Sequence, residues 1–298
     1  MPKIAYIEKK FSPARLAEIA QANVILDEYQ TQGFDLTLRQ LYYQFVSRGL
    51  IENNLQSYKR LGDVISEGRL AGLIDWTRIV DRTRNLVNNS HWTNPGEIMK
   101  SAAASFRLDK WANQPYRVEC WIEKDALRGV IDRVCSQLDI PHFSCRGYTS
   151  ISEMWVAARR LQYWIDRGQT PVILHLGDHD PSGVDMTRDI FDRLKMFMGG
   201  TDVKRLALNW DQINLYNPPP NPAKLTDSRA QGYIAKHGDD SWELDALEPS
   251  VIAELIRNAV EDVRDEDLYQ EMWEEERRHR ELLETVSKRW ADVANVLG

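Results

Sequence analysis

The sequence predicts an α/β protein: a parallel sheet with helices on both faces, preceded by a mostly helical segment and followed by a helical tail. Three observations carry this. From about residue 112, apolar runs and amphipathic stretches alternate as βαβαβαβ, a pattern that implies a parallel sheet with its ligand site at the carboxyl ends of the strands. Val172, Ile173 and Leu174 are continuously apolar, as a strand buried on both faces should be. Before residue 112, apolar positions recur near helical spacing between short glycine-containing turns. With 298 residues, 43% of them hydrophobic, and ten Trp, the chain can bury one large core or two ordinary ones. Its changes of pattern divide it into 1–110, 111–260 and 261–298.

Residues 12–32 read as an amphipathic helix through Leu16, Ile19, Ala20, Val24, Ile25 and Leu26, ended by Gly33. Thr37 then offers an N-cap to a second helix, with Leu38, Leu41, Tyr42 and Phe45 as its inward stripe and Gly49 near its end. That stripe leaves Tyr43 for the outer face. A third helix spans about 55–71, and with the mixed segment Trp76–Val80 the three read as a winged-helix-like arrangement. Strands follow at 117–122, 142–145, 171–176 and 204–208, alternating with helices at 125–137, 150–166 and 184–197. Residues 217–228, NPPPNPAKLTDS, form a rigid loop, because proline removes donors and fixes φ. Pro249 suits a first helical turn, and a long charged helix runs from about 266 to the end. No internal repeat is present.

The net charge of −7 is unevenly placed: residues 1–110 carry 15 Lys/Arg against 12 Asp/Glu, and residues 211–298 carry 10 against 20. Lys59, Arg60, Arg69, Arg78, Arg82 and Arg84 lie among aromatic and apolar residues, a candidate phosphate-contacting surface, with a solvated helix face as the alternative. Cys120, Cys135 and Cys145 are odd in number and lack C-x-x-C spacing, which points to buried reduced thiols. No apolar run approaches a membrane span, and the first residues lack the apolar core of a signal peptide, so a cytoplasmic location and no membrane partner are expected.

The chemistry concentrates in VILHLGDHDPSG, residues 172–183. If the chain stays extended past the strand, Asp178 and Asp180 share a face, and two like charges so placed repel unless a cation lies between them. Glu123 follows the apolar end of another strand, Trp121-Ile122, so the three carboxylates can converge at one sheet edge around a divalent cation. The plainer readings are a helix-start acid for Glu123 and turn or capping residues for the aspartates. His179 reads as a packed or loop histidine. Glu243 and Asp245, at i and i+2, read as loop and cap acids and receive no catalytic role.

Glu123-Lys124-Asp125-Ala126 after a strand, the glycine turn Arg146-Gly147, and Gly177-Asp178-His179-Asp180-Pro181-Ser182-Gly183 together resemble the Toprim domain. The resemblance is strongest to the type IIB topoisomerases, that is, the topoisomerase VI A subunit and its relatives that make meiotic double-strand breaks. It implies Mg²⁺, or Mn²⁺, held by Glu123, Asp178 and Asp180. Arg39-Gln40-Leu41-Tyr42-Tyr43 is similar to that family's R-x-x-Y-Y run, which implies Tyr43 as the nucleophile. Arg39 lies one turn earlier on the same helix face, beside the phenol.

The implied activity is cleavage of double-stranded DNA by tyrosine transesterification through a covalent 5′-phosphotyrosyl intermediate, in the isomerase class. A homodimer is implied, the tyrosine of one subunit working with the metal of the other, and with it a nucleoid-associated location. Lys59, Arg60, Arg69, Arg82, Arg84 and Arg146 are the candidate DNA contacts. The resemblance covers roughly residues 35–250. It departs at Gly147-Tyr148-Thr149-Ser150, where the family has Pro-Asp, so that loop's substrate contacts do not carry over. No P-loop or other ATP site is present, so strand passage would need a separate ATPase subunit; compact stand-alone A-subunit-like proteins have this build. Two alternatives stay open: a Toprim nuclease in which water attacks, and a catalytically inactive DNA-binding dimer, against which the three carboxylates argue.

Overall fold

The computed structural model of the protein describes residues 3–80 and 89–297. Its helices α1 (Pro13–Thr31), α2 (Leu38–Ser47), α3 (Leu55–Leu70) and α4 (Pro95–Ser105) precede strand β1 (Tyr116–Ile122). Then α5 (Arg128–Leu138), β2 (His142–Ser144), α6 (Ile151–Ile165), β3 (Thr170–Leu176), α7 (Pro181–Met198) and β4 (Asp202–Ala207) alternate as expected. A short helix α8 (Trp210–Tyr216), the two-residue strands β5 (Asn221–Pro222) and β6 (Asp240–Ser241), and α9 (Ala230–His237) between them lead to α10 (Pro249–Glu261), α11 (Glu266–Lys288) and α12 (Trp290–Leu297).

The four long strands form one parallel sheet in the order β2-β1-β3-β4. Alternate side chains of β1 and β3 go to opposite faces. Cys120, Ile122, Leu174 and Leu176 meet α5 and α10, whereas Trp121 and Ile173 meet α6 and α7. Both faces are therefore dry, which is why these strands read as apolar runs. Glu119, on the Trp121 face, is a buried exception. It accepts from Arg160 of α6 at 2.8 and 2.9 Å and from the Trp121 indole at 2.9 Å, so its charge is paired.

The N-terminal helices have their own core, built from Ile19, Tyr29, Leu36, Leu41, Phe45, Leu61 and Ile74 among others. Among the described residues this part contains two isolated bridges, Leu36 with Ile79 in parallel and Ala5 with Ala71 antiparallel. Two short segments join this core to the sheet. Phe34 packs against both, and in the 3₁₀ turn Leu244–Ala246 the first residue enters the sheet core while Ala246 enters the helical one. Asp245 lies between them at the seam. The C-terminal helix is not free either: α11 packs on α4, and its buried Glu276 accepts from Lys110 Nζ at 2.5 Å and from the Leu108 amide at 2.9 Å. All three cysteines are buried and free.

Helix α2 begins with a full capping box, Thr37 accepting from the Gln40 amide and the Gln40 side chain from the Thr37 amide. Thr37→Ala is expected to cost about 1 kcal/mol in a urea titration, because a Ser or Thr N-cap is worth about that much. An unchanged midpoint would show that tertiary packing alone holds the start of α2.

Candidate functional site at the strand ends

The register pairs Ile122 with Leu176, so Glu123 and Gly177 leave the sheet side by side. The Glu123 amide donates to Leu176 O at 2.8 Å, and the Asp178 amide donates to Glu123 Oε2 at 2.9 Å. Two glycines make this approach possible. A Cβ on Gly177 would lie 2.9 Å from Glu123 Oε2, and one on Gly183 would lie 2.2 Å from the Asp178 carbonyl oxygen. The sheet register thus sets Glu123 against Asp178, and Asp180 lies near enough for its charge to act on Glu123. Burial, and then the charge of Asp178, push the Glu123 carboxyl up to about 7, with Asp180 adding to the effect. Burial likewise raises Asp178 to about 6, against the opposing pull of Lys124.

The strand does not stay extended to Asp180. It ends at Leu176, and Asp180 becomes the N-cap of α7, accepting from the Gly183 amide at 2.6 Å and the Ser182 hydroxyl at 2.9 Å. The capping alternative is thus realised at Asp180. Asp178 is also engaged: Oδ1 takes the Leu244 amide at 2.8 Å and Oδ2 meets Lys124 Nζ at 2.8 Å. As the side chains stand, no group of three or more His, Cys, Asp or Glu residues is spaced to hold an ion among the described residues. In chemistry the donor set still suits a hard divalent cation, being three buried carboxylates of which Asp178 and Asp180 both raise Glu123.

His179 points away from this cluster into aromatic rings. It is buried against Trp210, Tyr233, His237 and Trp242, its Nδ1 is 2.7 Å from the Tyr233 hydroxyl, and burial lowers it to about 4. The packed reading of His179 is what the fold contains.

Behind the carboxylates stands Arg205, which the sequence analysis did not single out. From β4 it reaches the carbonyl oxygens of Asp178 at 2.6 Å, Gly183 at 2.8 Å and Gly177 at 3.2 Å, and so ties together the loop that carries Gly177-Asp178 and the start of α7. Its signal was hidden because an arginine inside an amphipathic strand reads as an edge charge.

Tyr43 departs from expectation. Instead of facing outward it is 3% exposed, as deeply buried as Tyr42 at 5%. The helix period told which side of α2 faces its own core. It could not tell that the Pro-rich loop closes over the opposite side, where Asn221 donates to the Tyr43 hydroxyl at 3.4 Å and Asn53 ties the loop down through Pro220 O and Asn221 Oδ1, each at 2.8 Å. Burial, then the charge of Glu243, push the phenol up to about 12. Arg39 lies beside the ring, its guanidinium carbon 5.8 Å from the centroid.

The two acids first read as loop residues complete the arrangement. Glu243 Oε2 accepts from Arg39 Nη2 and, at 3.0 Å, from Lys124 Nζ. Asp245 is buried at ion-pair distance from both cations, 3.2 Å from Arg39 Nε and 3.6 Å from Lys124 Nζ, with neither of its oxygens aligned for a hydrogen bond. Burial opposes ionisation of Glu243, but Lys124 and Arg39 outweigh it and hold the carboxyl at about 2. One charge network therefore runs from Arg39 on α2 through Glu243 and Lys124 to Asp178, within a single chain. What hid Glu243 is sequence distance: its partner Arg39 is 204 residues away.

The proposed DNA contacts separate into different roles. Lys59 and Arg146 are exposed, although Arg146 meets Asp125 at 3.3 Å. Arg60 pairs with Glu18 at 2.6 Å, and Arg78 with Asp27 at 3.1 Å. Arg69 donates to Trp76 O at 2.7 Å and stacks on the Trp76 ring at 4.7 Å, bracing the segment after α3. Arg82 and Arg84 lie outside the described residues.

No protein-family model matches this chain, and no curated protein matches it. Among the described residues no helix is long and apolar enough to cross a membrane.

Proposed function

We propose that the protein cleaves double-stranded DNA with Tyr43 as nucleophile, its sheet being a Toprim domain and its helical N-terminal part a winged-helix-like domain. The observation that carries this reading is the joining of the Tyr43 helix to the strand-end carboxylates through one run of charges, Arg39, Glu243, Lys124 and Asp178. A structural tyrosine would not need it.

Glu123, Asp178 and Asp180 would hold a divalent cation, Mg²⁺ or Mn²⁺, which when bound would stabilise negative charge on a phosphate undergoing substitution. The chain's own residues account for the rest. Arg39 offers a planar donor pair to a phosphate beside the phenol. Tyr43 loses its proton only once its surroundings change, since burial and the Glu243 carboxylate keep it protonated. The phenolate oxygen then bonds to phosphorus while the P–O bond to the neighbouring sugar breaks, and that sugar oxygen takes up a proton. One P–O ester bond is made for one broken and one proton is lost for one gained, and religation is the reverse. Two copies of the chain would straddle the duplex, and strand passage would need an ATPase supplied by another chain.

A second reading is favoured by the burial of Tyr43: water attacks and the tyrosine is structural. End-labelled duplex incubated with Mg²⁺ and run on a denaturing gel separates the two. Protein-linked ends support the tyrosine, free ends support water, and intact DNA under every divalent metal overturns both.

The carboxylates also make a prediction without turnover. In chelator, Glu123 and Asp178 bind protons more tightly in the fold than in the open chain. Their contribution to stability therefore falls as pH rises from the ordinary carboxyl range of about 4.5 to about 7. His175 and His179, lowered by burial to about 3 and about 4, act oppositely, costing stability as pH falls below their ordinary 6.5. Taking the difference with and without Mg²⁺ isolates the carboxylates. Mg²⁺ should raise the thermal midpoint by several degrees at about pH 8 and by much less at about pH 5.5, where protons compete for the same oxygens. Equal shifts at the two pH values would argue against a carboxylate site.

A further inference from the structure

Glu243 is only partly covered, with a quarter of its side chain exposed, yet its carboxylate is held by two cations from opposite sides of the seam. It sits at the mouth of a cleft of about 300 Å³ lined by Arg39, Tyr43, Asn53, Tyr58, Asn221 and itself. Beneath it, Asp245 is buried and leaves both oxygens without an aligned donor. Lys124 already has a second and better partner in Asp178 at 2.8 Å. Three carboxylates share two cations, and Glu243 is the one that solvent reaches. A phosphodiester carries the same single charge and presents two oxygens to a guanidinium in the same bidentate shape.

We propose that Glu243 is a resident phosphate mimic: it fills an anion site made by Arg39 and Lys124, and a DNA phosphodiester displaces it when duplex binds. Displacement removes the carboxylate from beside the Tyr43 hydroxyl, so the nucleophile is uncovered by the substrate itself. This last step rests on the function proposed above; the anion site does not. The acidic segment Trp242–Asp245 then acts as a built-in competitor, which keeps the tyrosine shielded until a phosphate takes its place.

The test is binding of a fluorescent duplex of about 20 base pairs to the full chain, followed by anisotropy in chelator so that cleavage plays no part. Glu243→Gln keeps the shape but removes the charge, and should tighten binding on the order of tenfold, the scale of a charge-assisted hydrogen bond. Glu243→Ala should shift in the same direction, which guards against one variant folding poorly. Glu271→Gln, an exposed acid on α11 with the same change in net charge, should have no such effect. Adding Lys124→Met to Glu243→Gln should abolish the gain. The proposal is overturned if neither Glu243 variant binds more tightly, if Glu271→Gln matches them, if the gain survives without Lys124, or if no form binds duplex. Tighter binding without cleavage in Mg²⁺ would keep this site and sink the cleavage reading; cleavage with no gain in Glu243→Gln would do the reverse.

Discussion

Replacing Tyr43 with phenylalanine is expected to remove protein-linked DNA entirely, a loss of at least about 10³-fold, because no other group can take the place of the attacking oxygen. The fold should survive. The ring stays in its buried position, and the lost contact with Asn221 is a long one at 3.4 Å, worth no more than about 1 kcal/mol. Tyr42 supplies the internal control. Its hydroxyl donates to Asn53 Oδ1 at 2.9 Å and to Asn54 O at 3.2 Å rather than to a charged group, so Tyr42→Phe should retain the adduct. The measurement is a denaturing gel of labelled duplex with Mg²⁺, alongside thermal unfolding of each variant. An adduct that persists in Tyr43→Phe and vanishes in Tyr42→Phe would move the nucleophile by one residue; free ends unchanged in both would assign the attack to water.

The second large effect concerns two glycines that lie in helices and should respond oppositely to alanine. Gly232 in α9 has open space where a Cβ would go, so Gly232→Ala should stabilise by up to about 1 kcal/mol, the ordinary helical preference. Gly183 in α7 has the same preference and a stronger opposing effect. Its Cβ would meet the Asp178 carbonyl oxygen at 2.2 Å, and that oxygen is held by Arg205 at 2.6 Å and cannot simply retreat. Backbone overpacking of this kind costs about 1–3 kcal/mol or more, so Gly183→Ala should be net destabilising by about 2 kcal/mol and should blunt the Mg²⁺-dependent rise in thermal midpoint. Urea titrations of the two variants decide it. A Gly183→Ala protein as stable as Gly232→Ala would mean that the loop before α7 is far softer than its hydrogen bonds suggest.

What could be read from the sequence follows a physical divide between local and distant interactions. The sheet was legible because strands buried on both faces have to be apolar at every position, as Cys120–Ile122 and Val172–Leu174 are. The start of α2 was legible because Thr37 and Gln40 are three residues apart. The carboxylates could be grouped because parallel strands share an edge, but Asp180 was expected on an extended stretch, whereas its side chain caps α7 instead. Tyr43, Glu243 and Arg205 were misread or overlooked for one common reason. Each is defined by what the rest of the chain brings to it, namely the Pro-rich loop over the phenol, Arg39 and Lys124 around the acid, and four carbonyl oxygens around the guanidinium. Helical or strand periodicity describes a residue's own element and is silent about such visitors.

The seam formed by the turn Leu244–Ala246 bears on when the charge network can close. The contact between Arg39 and Glu243 closes a span of 204 residues, so it belongs to the slow, nonlocal class of folding events. On the ribosome the tyrosine helix emerges first and the acid that shields it emerges much later. A nascent chain therefore presents Arg39 and Tyr43 first, then Lys124 and Asp178, and only afterwards Glu243, the link that joins the two ends of the network. The charge network as a whole closes late in synthesis, with the same short turn.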